Sequence, residues 1–197
     1  MIRGAVLGSP ISHSLSPALH RAAFESIGIA GSYEAIDVPS GTLQQFFLAH
    51  ESDFDYFSLT MPLKEEAHLL NMTCDELSLR IGSINTLYKK EGSWFGTSTD
   101  GSGFLAALNA QGHSRCSQAL ILGAGGTARA VAGALDGNVE TLTVMGRTST
   151  RKDALERCVQ KSLFNYIPWI SDPNINSYDL IINTTPAGAA DLLAENL

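Results

Sequence analysis

The chain has 197 residues, with 13 Lys+Arg, 20 Asp+Glu and a formal net charge of −7. A domain takes roughly 100–200 residues, so this length holds one large domain or two small ones. Hydrophobic residues at 44% against 17% charged support a packed core and argue against wholesale disorder. The acidic balance argues against nucleic acid or an anionic membrane surface as the main partner.

The opening MIRGAVLGSP has one arginine and a short apolar stretch broken by Gly8, Ser9 and Pro10. A secretory signal needs a longer apolar region with a cleavage site. No apolar run approaches the ~20 residues that span a bilayer, so the expectation is a cytoplasmic protein without a membrane anchor. Cys74, Cys116 and Cys158 are odd in number and widely spaced, with no CxxC. Neither a disulfide framework nor a metal site is expected from them.

Short apolar runs alternate with helical patterns, the signature of βαβ units. In the first half, strands are predicted at Arg3–Leu7, Ser32–Val38 and Phe54–Thr60. Helices are predicted at Pro17–Ser26, with Leu19, Ala22, Ala23 and Phe24 on its apolar side, at Gly41–His50, and from Leu63 to about Asn71. Ile84–Lys89 and Ser93–Gly96 read as a hairpin pair around Glu91-Gly92. A helix over Gly101–Gln111 leads into the second half, with strands at Ala119–Leu122, Thr141–Met145 and Tyr178–Asn183. Helices there are predicted at Thr127–Leu135 and Thr150–Val159. The fold class is α/β, in two domains over 1–100 and 101–197, with parallel sheets expected in each.

Leu120-Ile121-Leu122-Gly123-Ala124-Gly125-Gly126-Thr127-Ala128-Arg129 follows a strand and opens a helix. It fits GxGxxG/A. Gly123 permits the tight turn, Gly125 lets the backbone approach a pyrophosphate, and Ala128 lets helix pack on strand. This context points to dinucleotide binding. About 20 residues on, where an NAD-binding chain places an acidic residue, this one reads Gly146-Arg147-Thr148-Ser149-Thr150-Arg151. Arg147 and Arg151, with the Thr148 and Ser149 hydroxyls, suit a ribose 2′-phosphate, so NADP is preferred over NAD.

In the first half, Ser14 and Ser16 lie on a turn at a helix start, where they either cap the helix or grip a hydroxylated or carboxylated ligand. Lys64 lies just beyond a strand, a position more often solvated than catalytic. Asn85 and Asp100 are polar groups at element edges with turn or cap alternatives. No Ser/His/Asp nucleophile motif or HExxH is present.

Together these segments resemble the shikimate dehydrogenase family. The matching pieces, in family order, are Gly8–Pro17 (GSPISHSLSP) with His20, Thr60–Ala67 (TMPLKEEA), Ile84–Leu87 (INTL), Thr99-Asp100, Gly123–Ala130 (GAGGTARA), Gly146-Arg147-Thr148 and Asn183–Gly188 (NTTPAG). The resemblance implies an N-terminal α/β substrate domain and a Rossmann-like NADP-binding domain lacking its C-terminal part. It implies NADP-dependent, reversible reduction of 3-dehydroshikimate to shikimate, on the route to chorismate and the aromatic amino acids. Carried over, Lys64 and Asp100 form the catalytic pair, and Ser14, Ser16, Thr60 and Asn85 bind substrate. Gly123, Ala124, Gly125, Gly126, Thr127, Ala128, Arg147, Thr148, Arg151 and Thr184 bind the cofactor. Small molecules are the expected partners, with no nucleic acid or membrane, and the chain is expected as monomer or homodimer.

The chain departs from the family pattern at Ser58, Ser98 and Gly146, where the family usually has Asn, and at Ala189, where it usually has Met. It also stops tens of residues earlier than family members do, which leaves Tyr178–Asn183 near an expected exposed sheet margin. The alternatives are a quinate/shikimate dehydrogenase using NAD and a non-catalytic ligand-binding relative.

Overall fold

The computed structural model describes residues 1–113, 116–169 and 174–191. The chain forms two compact units, one of Met1–Leu79 with Ser83–Ser98, the other of Arg80–Gly82 with the described residues from Thr99 onward.

The first unit runs β1 (Ile2–Gly8), α1 (Ser16–Ser26), β2 (Gly31–Asp37), α2 (Leu43–His50), β3 (Tyr56–Leu59), β4 (Thr73–Cys74), α3 (Glu76–Ile81, whose last two residues belong to the second unit), β5 (Thr86–Lys90) and β6 (Ser93–Thr97). Its six strands lie in the order β2-β1-β3-β5-β6-β4. β1 pairs in parallel with β2 and β3, but β3–β5 and β5–β6 are antiparallel, so the sheet is mixed where a parallel one was expected. The β5–β6 pair follows from the hairpin itself. Glu91 and Gly92 have φ of 53° and 79°, the left-handed pair of a two-residue turn, which returns the chain antiparallel to itself.

Along β3, alternate residues face opposite sides of the sheet. Phe57 and Leu59 enter the main core with Leu7, Leu43, Phe47, Leu63 and Leu87. The Phe57 ring stacks on Trp94 at 5.4 Å and meets Phe47 edge-on at 6.3 Å. On the other side, Tyr56 and Ser58 face α1. That helix buries none of its own residues fully, and Leu19 is 69% exposed, but Phe24 of the predicted apolar stripe packs against Val6, Ile11 and Tyr33. Elsewhere its contact is aromatic and polar. The His20 ring stacks on Tyr33 at 3.8 Å, and the Tyr56 phenol meets His20 Nδ1 at 2.8 Å. Burial pushes the Tyr56 phenol up to about 12, with the neighbouring Tyr33 adding to it, and burial lowers His20. At neutral pH both groups are therefore uncharged. Gly4 makes room for this cluster, since a Cβ there would lie 2.8 Å from Tyr33 Cδ2 and overlap the Tyr56 ring.

The helix predicted from Leu63 is two short 3₁₀ turns, Leu63–Glu65 and Ala67–Leu69. Leu63, Ala67 and Leu70 do face the core, as helical spacing predicts. An α-helix, however, needs the Lys64 carbonyl for its own i+4 bond. Here that carbonyl accepts the Ile84 N–H at 2.9 Å.

The second unit runs α4 (Asp100–Ala110), β7 (Gln118–Leu122), α5 (Gly126–Leu135), β8 (Thr141–Gly146), α6 (Lys152–Glu156), β9 (Leu163–Pro168) and β10 (Leu180–Asn183). Its sheet is parallel throughout, ordered β10-β7-β8-β9. In β7, Ala119–Leu122 is the continuous apolar run that burial on both faces demands, while β8 carries Thr141 and the buried Thr143 beside Leu142, Val144 and Met145. The sequence patterns passed over β9, together with β4 and α3. As an edge strand β9 mixes polar and apolar residues, leaves Leu163 71% exposed and ends in proline, so it has no apolar run to read. β10 occupies the other margin, as expected. The helix predicted over Thr150–Val159 is a 3₁₀ turn, Ser149–Arg151, followed by the short α6, after which i+3 bonds from Cys158 and Val159 close the segment.

Asp136 joins the end of α5 to the start of β9. Its side chain, 3% exposed, accepts the N–H groups of Lys161 at 2.7 Å and Ser162 at 3.0 Å and meets Arg80 at 3.3 Å. Burial alone pushes this carboxyl up, but those N–H groups, that of Gln160 and the Arg80 charge outweigh it, holding it below its ordinary 3.8. A depressed carboxylate stabilises the fold above its unfolded pKa, and that contribution is lost as pH falls through the folded value.

Two outcomes are expected from urea unfolding. Phe57→Ala lowers stability by about 3–5 kcal/mol, the cost of an unfilled aromatic site. Asp136→Ala lowers the midpoint at neutral pH, and its gap to the unsubstituted chain narrows as pH is taken below 3.8; a gap independent of pH would show that the carboxylate charge is immaterial.

Candidate active site

In the first unit, three predicted segments meet at the carboxyl ends of β1 and β3. The Thr60 N–H donates to the Leu7 carbonyl at 2.9 Å, and the Ser9 N–H donates to the Met61 carbonyl at 3.1 Å. This close approach requires Gly8, because a Cβ there would lie 2.9 Å from the Met61 carbonyl and overlap the Thr60 methyl. The Ser9–Pro10 and Met61–Pro62 bonds are both cis. Lys64 sits in the first 3₁₀ turn, half-buried, its backbone bound to Ile84. Asn85 follows at once, donating its N–H to Thr97 and giving its carbonyl to Leu59 at 2.7 Å. Its side-chain oxygen accepts the Thr86 hydroxyl at 2.9 Å. Thr60, Lys64 and Asn85 are thus carried on adjoining segments.

Ser14 and Ser16 lie on the loop that follows β1. The Ser14 N–H donates to the Ile11 carbonyl at 3.0 Å, and its hydroxyl oxygen accepts the Ser16 N–H at 3.3 Å. Ser14 therefore orders the start of α1 without being its N-cap, which is Leu15. The carboxyl ends of parallel strands are where open α/β sheets bind ligands, and all five residues lie on segments at that end.

The sequence reading missed what supports Ser58. The Tyr33 phenol reaches across β1 and donates to the Ser58 hydroxyl at 2.7 Å, leaving the serine proton to be donated elsewhere. Ser58 is level with Thr86 on β5, which in turn is level with Thr97 on β6. The signal was period-2 alternation on β2 and β3, which puts Tyr33 and Ser58 on one face of the sheet. Ser98 differs, because its hydroxyl oxygen is buried without a hydrogen-bond partner among the described residues.

Asp100 belongs to the second unit, in the first turn of α4. The Thr99 carbonyl before it accepts the Gly103 N–H at 2.9 Å and the Ser102 hydroxyl at 3.1 Å, which fixes that turn.

The glycine turn forms as its spacing predicts. Gly123 has φ of 107°, and a Cβ there would lie 2.7 Å from the Thr184 hydroxyl oxygen. Gly125 caps α5, and a Cβ on it would meet nothing nearer than an Arg151 guanidinium nitrogen at 4.0 Å. Ala128 is fully buried and brings α5 onto the sheet, while Thr127 beside it is exposed. Arg151 donates to the Ala124 carbonyl at 3.4 Å, so its charge stands beside the turn. Thr148 and Thr150 share a hydroxyl hydrogen bond of 2.8 Å, and Arg147 is exposed next to them. Thr184 donates its hydroxyl to the Leu122 carbonyl at 2.7 Å and packs against the turn from β10. Free N–H groups at the start of a ten-residue helix, open space over Gly125 and a flanking guanidinium fit a phosphorylated dinucleotide.

Ala189, where a Met was expected, is exposed and gives its N–H to the Pro186 carbonyl at 3.1 Å. Among the described residues no helix is long and apolar enough to cross a membrane, and no group of three or more His, Cys, Asp or Glu could hold a metal ion.

Two families match the chain in sequence: the shikimate dehydrogenase substrate binding domain over residues 6–87, and shikimate / quinate 5-dehydrogenase over residues 105–196. A shikimate dehydrogenase (NADP(+)) of Staphylococcus epidermidis is 37% identical over 191 residues, 95% of this chain and 68% of that protein. One from an Exiguobacterium species is 39% identical over 190 residues, 93% of this chain and 68% of its own length. The structure is similar to that of shikimate 5-dehydrogenase from Thermus thermophilus in complex with NADP(H) and shikimate, with a TM-score of 0.81 and 40% identity over 94% of this chain and 69% of that one. The Mycobacterium tuberculosis shikimate dehydrogenase superposes with a TM-score of 0.85 at 29% identity, covering 98% of this chain and 74% of the other. Ordered motifs, fold and relatives agree, and the chain belongs to the shikimate dehydrogenase family.

Proposed function

We infer that the chain catalyses the NADP-dependent, reversible reduction of 3-dehydroshikimate to shikimate, in the pathway to chorismate and the aromatic amino acids. The observation that carries this reading is the junction of Gly8–Ser16, Thr60–Lys64 and Ile84-Asn85 at the carboxyl ends of β1 and β3, in a chain that also forms the glycine turn. In this reading residues 1–100 are the substrate domain and residues 101–197 the cofactor domain.

Shikimate and 3-dehydroshikimate carry a carboxylate and several hydroxyls. Ser14, Ser16, Thr60 and Asn85 meet them with short hydroxyl and amide groups on backbone that is fixed by hydrogen bonds. Such groups orient a polyhydroxylated ring at little entropic cost. Reduced NADP supplies the hydride when bound. As the substrate carbonyl carbon is reduced, its oxygen becomes alkoxide-like and takes a proton from the Lys64 ammonium acting as general acid. Asp100 is the second member of the catalytic pair, sharing in the proton's return in the reverse direction. Gly123, Ala124, Gly125, Gly126, Thr127 and Ala128 cradle the pyrophosphate, and Thr184 fixes the turn from beside it. Arg147, Thr148 and Arg151 hold the 2′-phosphate. The same proposal makes the chain a cytoplasmic monomer or homodimer acting on small molecules, without nucleic acid.

Shikimate-dependent reduction of NADP, followed by absorbance of the reduced nicotinamide, tests the assignment. Lys64→Ala and Asp100→Ala are each expected to lower kcat by about 100-fold to 10,000-fold, the range for a lost acid–base group, with the thermal melt unchanged. Full activity in both variants would refute the pair. Arg147→Ala with Arg151→Ala is expected to raise the KM for NADP and leave that for NAD in place; an equal loss on both cofactors would remove these arginines from 2′-phosphate recognition.

A further inference from the structure

The loop from Arg147 to Arg151 leaves the end of β8 and is exposed throughout. Its conformation is set from outside by Tyr166 on β9. In the parallel register Val144 is level with Tyr166 and Gly146 with Pro168, so these residues share one face of the sheet. The Tyr166 ring leans along the strand until it lies over Gly146. A Cβ at residue 146 would lie 2.7 Å from the ring carbon Cζ, overlap the phenol oxygen and come within 3.3 Å of the Ala124 Cβ. Phenol, Gly146 and the glycine turn therefore form one packed layer. From there the Tyr166 hydroxyl donates to the Thr148 carbonyl at 2.6 Å. Burial raises this phenol's pKa and the Arg151 charge lowers it in part, so it remains protonated and a donor at neutral pH.

We propose that Tyr166 is a positioning residue for cofactor selectivity, fixing through Gly146 and Thr148 the loop that meets the 2′-phosphate of NADP. This rests on the NADP reading above. NAD lacks that phosphate, so loosening the loop penalises one cofactor and spares the other. Gly146 belongs to the same device, because any side chain there displaces the ring. The hydrogen bond alone is a modest contribution, but it acts on a backbone carbonyl between two arginines. A residue that served only to stabilise β9 would, on removal, weaken both cofactors alike.

The test compares NADP and NAD binding by calorimetry, with kinetics in parallel, for the unsubstituted chain, Tyr166→Phe, Gly146→Ala, Tyr166→Ala and the Gly146→Ala/Tyr166→Ala double variant. Tyr166→Phe is expected to raise the Kd for NADP about fivefold to tenfold, the worth of one hydrogen bond, with the Kd for NAD and the KM for shikimate unmoved. Gly146→Ala is expected to weaken NADP in the same selective way, yet to add no further loss in the Tyr166→Ala background. Undiminished preference for NADP in Tyr166→Phe, equal weakening of both cofactors, or additive losses in the double variant overturns the proposal alone. An unsubstituted chain that is indifferent to the 2′-phosphate overturns the NADP reading, and this proposal with it.

Discussion

Each unit depends on the same close approach, in which a parallel strand runs out at a glycine and the strand beside it is followed by a threonine. In the first unit the Thr60 N–H donates to the carbonyl of Leu7, the residue before Gly8. In the second the Thr184 N–H donates to the carbonyl of Leu122, the residue before Gly123. In both, a Cβ on the glycine would press into the threonine side chain. The adjacent strands are thereby allowed to finish at one level. Beyond that level, backbone N–H groups and short hydroxyls are left facing outward with no ladder to join. The candidate substrate and cofactor residues are what the chain places there.

Much of this was legible in the sequence because it depends on residues that have few other reasons to occur together. Gly123 and Ala128 announce a tight turn and a close helix contact, and each performs that task, while Gly125 leaves open space at the start of α5. The buried run of β7 was equally plain, since a parallel strand covered on both faces favours apolar residues. Less visible were features decided by a neighbour distant in sequence. The apolar spacing of Leu63, Ala67 and Leu70 is helical, yet Ile84 takes the carbonyl a helix needs. The stripe of α1 is only partly a core face, because Phe24 packs on Val6, Ile11 and Tyr33 while stacking of His20 on Tyr33 takes the place that burial of Leu19 would have had. β9 could not be found by periodicity at all, since an edge strand has only part of its surface to hide.

The candidate site follows the same division. Motif residues such as Lys64 and Asn85 were visible as types at set spacings. Their supports were not, because a phenol on a neighbouring strand leaves no local pattern. Ser58 and Gly146 each stand where the family usually has an asparagine. In the fold each is accompanied by a tyrosine from a nearby strand, Tyr33 donating to Ser58 and Tyr166 occupying the room above Gly146. The smaller residue and the larger one are parts of a single arrangement.

That arrangement has a bearing on how such a sequence can change with time. With the phenol lying where a Cβ at residue 146 would be, any larger residue there collides while Tyr166 remains. Loss of the tyrosine leaves a gap over a glycine that nothing else fills. A change at residue 146 therefore moves the ring, whereas a change at Tyr166 leaves the glycine without a clash. A lineage carrying this pair is held to it by sterics at a point that makes no contact with the reacting atoms. On the reading proposed for this loop, cofactor preference rests on packing as well as on the two exposed arginines.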